Sequence, residues 1–371
     1  MTTTVALLFG GRSGEHGISC VTAGGILGAI DREKYEVIAV GVTRDGRYVQ
    51  VSDDPAAWSM VDGRAPEVTG DGPEVLLPAA AHRPGEPMLL RVVRDGRVEP
   101  LAEIDVVFPL LHGSYGEDGT IQGALDLLDV PYVGSGVLAS ALCMEKASTK
   151  RALEAGGLTC APGIVVHQDR WERQPRAMLE HLRTEHPLPW FVKPSRAGSS
   201  LGVTRVTREE DLEAALQAAF AQDPLVVIEQ AVSGREVECG VLQGIDGAEP
   251  RTTVPGEVKV GEDLEFYDYE SKYFGKGTVD IQVPAQLPDA VLEEVRHVAA
   301  QAFEILGLEG LARVDVFVTD EGQVIVNEVN TMPGFTPYSM FPVLWANMGL
   351  DYTALITDLV EQALTRRVGL R

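Results

Sequence analysis

Cysteine is scarce in this 371-residue chain. Its four copies, Cys20, Cys143, Cys160 and Cys239, lie so far apart that no CxxC pair occurs. That spacing argues against a thiolate zinc site and against a disulfide framework, and it predicts buried free thiols. Long apolar runs are missing as well. Residues 4–10 are apolar but run straight into Gly10-Gly11-Arg12, too short for a signal-peptide core. No stretch reaches the roughly 18 apolar residues of a membrane span. Positive charge is the third deficit: 31 Lys and Arg stand against 55 Asp and Glu, a formal charge of −24. With no basic block, the balance argues against a nucleic-acid binder, because phosphate affinity needs grouped cations. Repeats, low-complexity tracts and a GxxxxGK[ST] loop are absent too. The composition that remains, 45% apolar, suits a soluble cytoplasmic globular protein of two or three compact units.

Residues 4–9 read as a buried strand, 10–15 as a tight loop, 18–30 as a helix and 35–42 as the next strand. This β-loop-α-β order predicts a parallel sheet with ligands beyond its strand ends. Residues 52–100 lose periodicity and gather Pro, Gly, Asp and Ala. Only 75–77 and 89–93 resemble short strands, so the stretch reads as a peripheral excursion. The α/β pattern resumes with a strand at 104–108, a loop at 111–119, a helix at 120–129 and a short apolar stretch at 131–134. The first unit, 1–142, closes there.

A second unit, 143–230, holds a helix from 146, a polar helix at 174–184, a helix at 209–221 and strands at 162–166, 190–193, 203–206 and 225–229. It reads as a small α+β lid. The third unit, 231–371, carries strands at 235–243, 255–260 and 279–283, a helix at 289–305, a hairpin within 310–335 and a last helix at 351–366.

Most of the chemistry sits on that hairpin. Arg313 and Asp315 are two apart, so both leave the same face of a strand, and Glu328 and Asn330 repeat the spacing on the next one. The residues between them are β-branched and apolar, so the strands are covered and the polar groups need partners. Oxygen donors of this kind suit Mg²⁺, which bridges carboxylates to phosphates. For one acid alone a solvated face is the better reading; four groups followed by Asn330-Thr-Met-Pro-Gly334 favour a site.

Other candidates are weaker singly. Lys193 closes an apolar strand before the Gly/Ser loop 194–202, an arrangement that suits phosphate, although a lysine at a strand end is more often simply exposed. Glu229 and Glu236 border the apolar strand 225–229 and can accept from an adenine amine and ribose hydroxyls, or be plain surface acids. The stretch 266–277 is dense in aromatics and charge. Within it Lys272 can counter a phosphoryl or carboxylate group and Tyr273 can donate a hydrogen bond in a closed site.

Taken in order, the segments Phe9-Gly-Gly-Arg-Ser-Gly-Glu-His16, Pro109-Leu-Leu-His-Gly113 with Gly116-Glu-Asp-Gly119, Val192-Lys-Pro-Ser-Arg-Ala-Gly-Ser-Ser200, Tyr267-Asp-Tyr-Glu-Ser-Lys-Tyr273 and Asn327-Glu-Val-Asn-Thr-Met-Pro-Gly334 resemble the D-alanine–D-alanine ligase family of the ATP-grasp superfamily. The resemblance covers nearly the whole chain. It implies an N-terminal Rossmann-like (pre-ATP-grasp) domain followed by a two-part ATP-grasp fold, with α/β and α+β units. It also implies ATP, two Mg²⁺ or Mn²⁺ ions, two D-alanine substrates and a homodimer. By resemblance, Glu15 binds the first substrate's ammonium with His112 nearby, and Glu15, Ser199 and Tyr273 form a hydrogen-bond triad. Arg313 and the Gly334 N–H face an oxyanion, while Asp315, Glu328 and Asn330 hold metal. Ser339 and Met340, with Lys272, match the second substrate's site. Lys146, Lys193, Ser200 and Glu229 match ATP contacts, as do Ala231, Glu236, Phe266 and Lys272. Two positions depart from the family pattern: Ala231 replaces an aromatic beside the adenine, and Ala197 stands where an acid is common. Another carboxylate–amine ligase, making D-alanyl-D-serine or D-alanyl-D-lactate, and a catalytically silent ATP-binding relative are the competing readings.

Overall fold

A computed structural model describes residues 2–78, 88–198, 201–260 and 279–366. Among them the first sheet contains β1 (Thr3–Gly10), β2 (Tyr35–Val42), β3 (Tyr48–Gln50), β4 (Glu74–Leu76), β5 (Met88–Arg94), β6 (Arg97–Ile104) and β7 (Val106–Pro109), in the order β6-β5-β4-β3-β2-β1-β7. Only the pairings β1–β2 and β1–β7 are parallel. The pairings from β2 out to β6 are antiparallel. The stretch 52–100 is thus an extension of the sheet rather than a peripheral excursion. Its outermost strand escapes sequence reading because seven of the eight residues of β6, from Arg97 to Glu103, are exposed or half-buried and include Pro100. Backbone pairing with β5, not an apolar pattern, defines it.

Strand alternation divides the first core in two. Val5, Leu7 and Phe9 face the helix His16–Ala29 on one side. Ala6 and Leu8 face Ile121 and Leu125 of the helix Thr120–Leu127 on the other. The first of these cores also takes in Leu355, Ile356, Leu359 and Val360 from the last helix, Tyr352–Thr365.

The middle sheet is antiparallel throughout: β8 (Gly163–His167), β9 (Trp190–Pro194), β10 (Thr204–Val206) and β11 (Leu225–Gln230), in the order β10-β9-β11-β8. Helices Pro175–Glu185 and Leu212–Phe220 cover it, with Leu182, Trp190 and Leu216 in the core.

The third sheet comprises β12 (Arg235–Leu242), β13 (Arg251–Thr252), β14 (Gly256–Val260), β15 (Val279–Gln282), β16 (Leu311–Val318) and β17 (Val324–Asn330), ordered β15-β14-β12-β16-β17 with β13 beside β12. Val237, Cys239, Val314 and Val316 pack on one face against the helix Asp289–Ile305. That helix coincides with its sequence-derived span. A helix the sequence reading omits, Met340–Asn347, packs beside β12. Pro342 argues against a helix there, yet it falls in the first turn, where the missing N–H has no intrahelical partner to lose. Helices Val137–Met144 and Gln168–Arg173 were likewise unanticipated.

Candidate active site

Residue pairing across three strands builds the floor of the site. Arg313 lies opposite Asn330, and Asp315 opposite Glu328. On the other side of β16, Gly240 faces Arg313 and Glu238 faces Asp315. Glu238, Asp315 and Glu328 therefore form a transverse row of carboxylates on one sheet face. Arg313 Nε donates to Asp315 Oδ1 at 2.7 Å and lies 2.8 Å from Glu238 Oε2, while its Nη2 donates to Asp315 Oδ2 at 2.6 Å. Asn330 Nδ2 adds a bond to the same Asp315 oxygen at 3.0 Å. Burial by itself favours a neutral arginine, but Asp315 and Glu238 outweigh it and hold the guanidinium firmly charged.

Just past this row the register shifts: Val316 pairs with Val326 although Asp315 pairs with Glu328. Asn327 is the extra residue of a β-bulge, and the bulge lets the consecutive residues Asn327 and Glu328 both line the cavity.

The middle unit contributes lysines, Lys193 from β9 and Lys146 and Lys150 from the helix Lys146–Ala155. Lys193 Nζ lies 2.6 Å from one oxygen of Glu229 and donates to Asn327 Oδ1 at 3.4 Å, and Lys150 Nζ lies 2.6 Å from the other Glu229 oxygen. Burial pushes the Glu229 carboxyl up, but the two ammonium groups prevail and hold it at about 2. Lys146 donates to the Ala197 carbonyl at 2.7 Å and lies 3.7 Å from Glu328.

The N-terminal loops form the opposite wall. Ser13 Oγ donates to the His112 carbonyl at 2.6 Å and accepts the Glu15 N–H at 3.2 Å, joining the two loops. A Cβ added to Gly198 would lie 3.1 Å from Glu15 Oε2, so Glu15 reaches the glycine loop after β9. Burial lowers the His112 pKa, and its Nδ1 lies 3.9 Å from Glu117. Glu117 accepts from the Gly113 N–H at 2.7 Å and the Met332 N–H at 3.2 Å, and its carboxyl is pushed up to about 8, chiefly by burial with Glu15 adding repulsion.

A cavity of about 800 Å³ brings together Glu15, His112, Lys146, Arg313, Glu328, Asn330, Gly334, Ser339 and Met340. Ser339 precedes the helix Met340–Asn347, and its Oγ accepts the Thr336 N–H at 3.1 Å. Five expected residues are outside the lining. Asp315 stands behind Arg313, and Lys193 and Glu229 pair with each other beside Asn327. Ala231 spends its N–H on the Pro189 carbonyl at 2.9 Å, and Glu236 is exposed on β12 opposite Phe317. Ser199, Ser200, Phe266, Lys272 and Tyr273 lie outside the described residues.

Glu117, Lys150, Glu238 and Asn327 join the site without having been singled out from sequence. Two had a local signal: Lys150 is one helical turn from Lys146, and Glu238 shares a strand face with Glu236. Among the described residues no three His, Cys, Asp or Glu side chains are arranged to hold a metal ion by themselves. Asp315, Glu328 and Asn330 nonetheless offer two carboxylates and an amide, hard oxygen donors suited to an ion that takes the rest of its shell from phosphate and water.

A unit bearing lysines and a glycine loop, set against a sheet bearing a carboxylate row with the cavity beside both, defines an ATP-grasp fold behind an N-terminal unit built on a mixed sheet. Family models sharpen this: the D-ala D-ala ligase N-terminus matches residues 4–135 and the D-ala D-ala ligase C-terminus residues 152–361. The chain belongs to the D-alanine–D-alanine ligase family. It is 49% identical to the D-alanine–D-alanine ligase of Kineococcus radiotolerans, covering 99% of this chain and 98% of that one. Identity to the corresponding ligase of Mycolicibacterium smegmatis is 48%, over 100% and 97%. Of solved structures, the D-alanine–D-alanine ligase of Coxiella burnetii superposes with a TM-score of 0.79 at 31% identity, over 99% and 95% of the two chains. The VanG D-Ala:D-Ser ligase of Enterococcus faecalis gives 0.82 at 30% identity, over 98% and 100%.

Proposed function

We propose that this protein is an ADP-forming ligase that joins two D-alanine molecules through a D-alanyl phosphate and so supplies peptidoglycan precursor synthesis. The observation carrying this reading is Arg313, a largely buried guanidinium fixed by Asp315 and Glu238 in the wall of a cavity whose far side presents Glu15 and His112. Holding an arginine in so buried a place costs several kcal/mol of desolvation. A protein that merely binds nucleotide has little use for it.

In this reading the first D-alanine sets its ammonium against Glu15, beside His112, and its carboxylate attacks the γ-phosphorus of ATP, expelling ADP. The amine of the second D-alanine, whose carboxylate lies by Ser339, Met340 and Lys272, then attacks the acyl carbon. The amine loses a proton and inorganic phosphate leaves. Arg313 and the Gly334 N–H stabilise the oxyanion of that second step. Lys146 and Lys193 serve the ATP phosphates, Glu229, Ala231 and Glu236 with Ser200 and Phe266 border the nucleotide, and Glu15, Ser199 and Tyr273 close the loop over the site. Mg²⁺ or Mn²⁺ held by Asp315, Glu328 and Asn330 supplies charge neutralisation to the phosphates when bound. The units 1–142, 143–230 and 231–371 are the working domains of a cytoplasmic homodimer.

Phosphate release from ATP, measured with a panel of D-amino and D-hydroxy acids and paired with product mass, tests this. D-Alanine alone is expected to give the dipeptide. The Enterococcus faecalis likeness supports a second reading, with D-serine as second substrate; a dominant D-alanyl-D-serine product would establish it. No phosphate release with any acid would overturn both.

A further inference from the structure

Glu229 is a buried carboxylate with two lysines on it, one more cation than its charge requires. The two are held differently. Lys193 comes from β9 and divides its ammonium between Glu229 and Asn327, the bulge residue at the cavity wall. Lys150 comes from the helix Lys146–Ala155 and donates to Glu229 and to the Ala161 carbonyl, so it is anchored within its own neighbourhood. Were Lys193 to turn to a phosphate, its ammonium would give up its close hold on Glu229. If Lys150 were absent, that departure would strand a buried anion, a state that costs several kcal/mol.

We infer that Lys150 is a positioning residue for nucleotide binding: it is the permanent counter-ion of Glu229, and its presence lets Lys193 turn from that carboxylate to the phosphates of the nucleotide. The inference rests on the ATP-dependent reading above and adds a division of labour between the two lysines. Lys193 is the mobile cation; Lys150 acts through Glu229 and not on the phosphate itself, although it too borders the cavity.

The test is equilibrium binding of ATP, and of inorganic tripolyphosphate in magnesium buffer as a probe without base or ribose, to the full chain and four variants. Lys150→Met is expected to weaken both by about tenfold, equivalent to about 1.4 kcal/mol, because Lys193 is then retained by Glu229. Lys150→Arg, which keeps the charge, stays within about threefold of wild type. Glu229→Gln alone does not weaken tripolyphosphate. The double variant Lys150→Met/Glu229→Gln, which leaves no buried anion to strand and so remains informative if Lys150→Met misfolds, recovers tripolyphosphate binding to within about threefold. A double variant as weak as Lys150→Met would place Lys150 on the phosphate directly and overturn the inference, as would an unchanged affinity in Lys150→Met. If the wild-type chain bound no ATP, the functional reading itself would fall, an outcome distinct from either.

Discussion

The side chain of Glu117 accepts the backbone N–H of Met332, 215 residues further along the chain, while its other oxygen holds the Gly113 N–H. One carboxyl thereby fixes the loop carrying His112 to the segment carrying Gly334.

Because burial raises the Glu117 carboxyl to about 8, folding favours its protonated form. The unfolded chain loses that proton at an ordinary carboxylate value, so from there up to about pH 8 the unfolded state binds fewer protons and this residue's contribution to stability falls as pH rises. Glu117→Gln is expected to flatten the decline. Urea midpoints of both proteins at pH 5 and pH 8 check it; parallel pH slopes would count against the assignment. The amide also sets an N–H group against a backbone N–H, so a loss of about 1–3 kcal/mol at pH 5 accompanies the flatter slope.

Gly113 has φ +72°, and a Cβ there would lie 2.6 Å from Glu15 Oε2. Gly113→Ala is therefore strained in its backbone and displaces the carboxylate proposed to meet the first substrate. We expect KM for D-alanine to rise about tenfold, with a stability loss of about 1–2 kcal/mol. Initial-rate kinetics and thermal unfolding measure the two effects separately.

Arg313→Lys preserves charge but loses the fork that engages Asp315 and Glu238 together. The expected fall in kcat is about 10²-fold or more, with ATP affinity little changed. Binding by calorimetry and turnover by phosphate release separate these outcomes, and near-normal turnover would remove Arg313 from the chemistry.

Chelation provides a fourth check. Removing divalent ions with EDTA is expected to abolish phosphate release, and adding back Mg²⁺ or Mn²⁺ to restore it. In Glu328→Gln, with one carboxylate fewer, half-maximal activity should require about tenfold more Mg²⁺.

How much of this was legible in the sequence depends on the range of the interaction. The hairpin of β16 and β17 could be read because period-2 alternation places Arg313, Asp315, Glu328 and Asn330 on one face without any knowledge of the rest of the molecule. The bulge at Asn327 could not, since it is a mismatch between two strands and neither strand alone records it. Glu238 and Lys150 carry a local signal, but their roles come from partners 75 and 79 positions away, Arg313 and Glu229. β6 was invisible for a different reason: an edge strand with an exposed surface is defined by backbone bonds that almost any side chain permits.

The last helix, Tyr352–Thr365, seals a face of the first sheet made by Val5, Leu7 and Phe9. On a ribosome β1 emerges long before the helix that covers part of its face. Until that helix is made the growing chain carries a partly bare apolar face, so the core of the N-terminal unit is finished by residues far along the chain from the strands it covers.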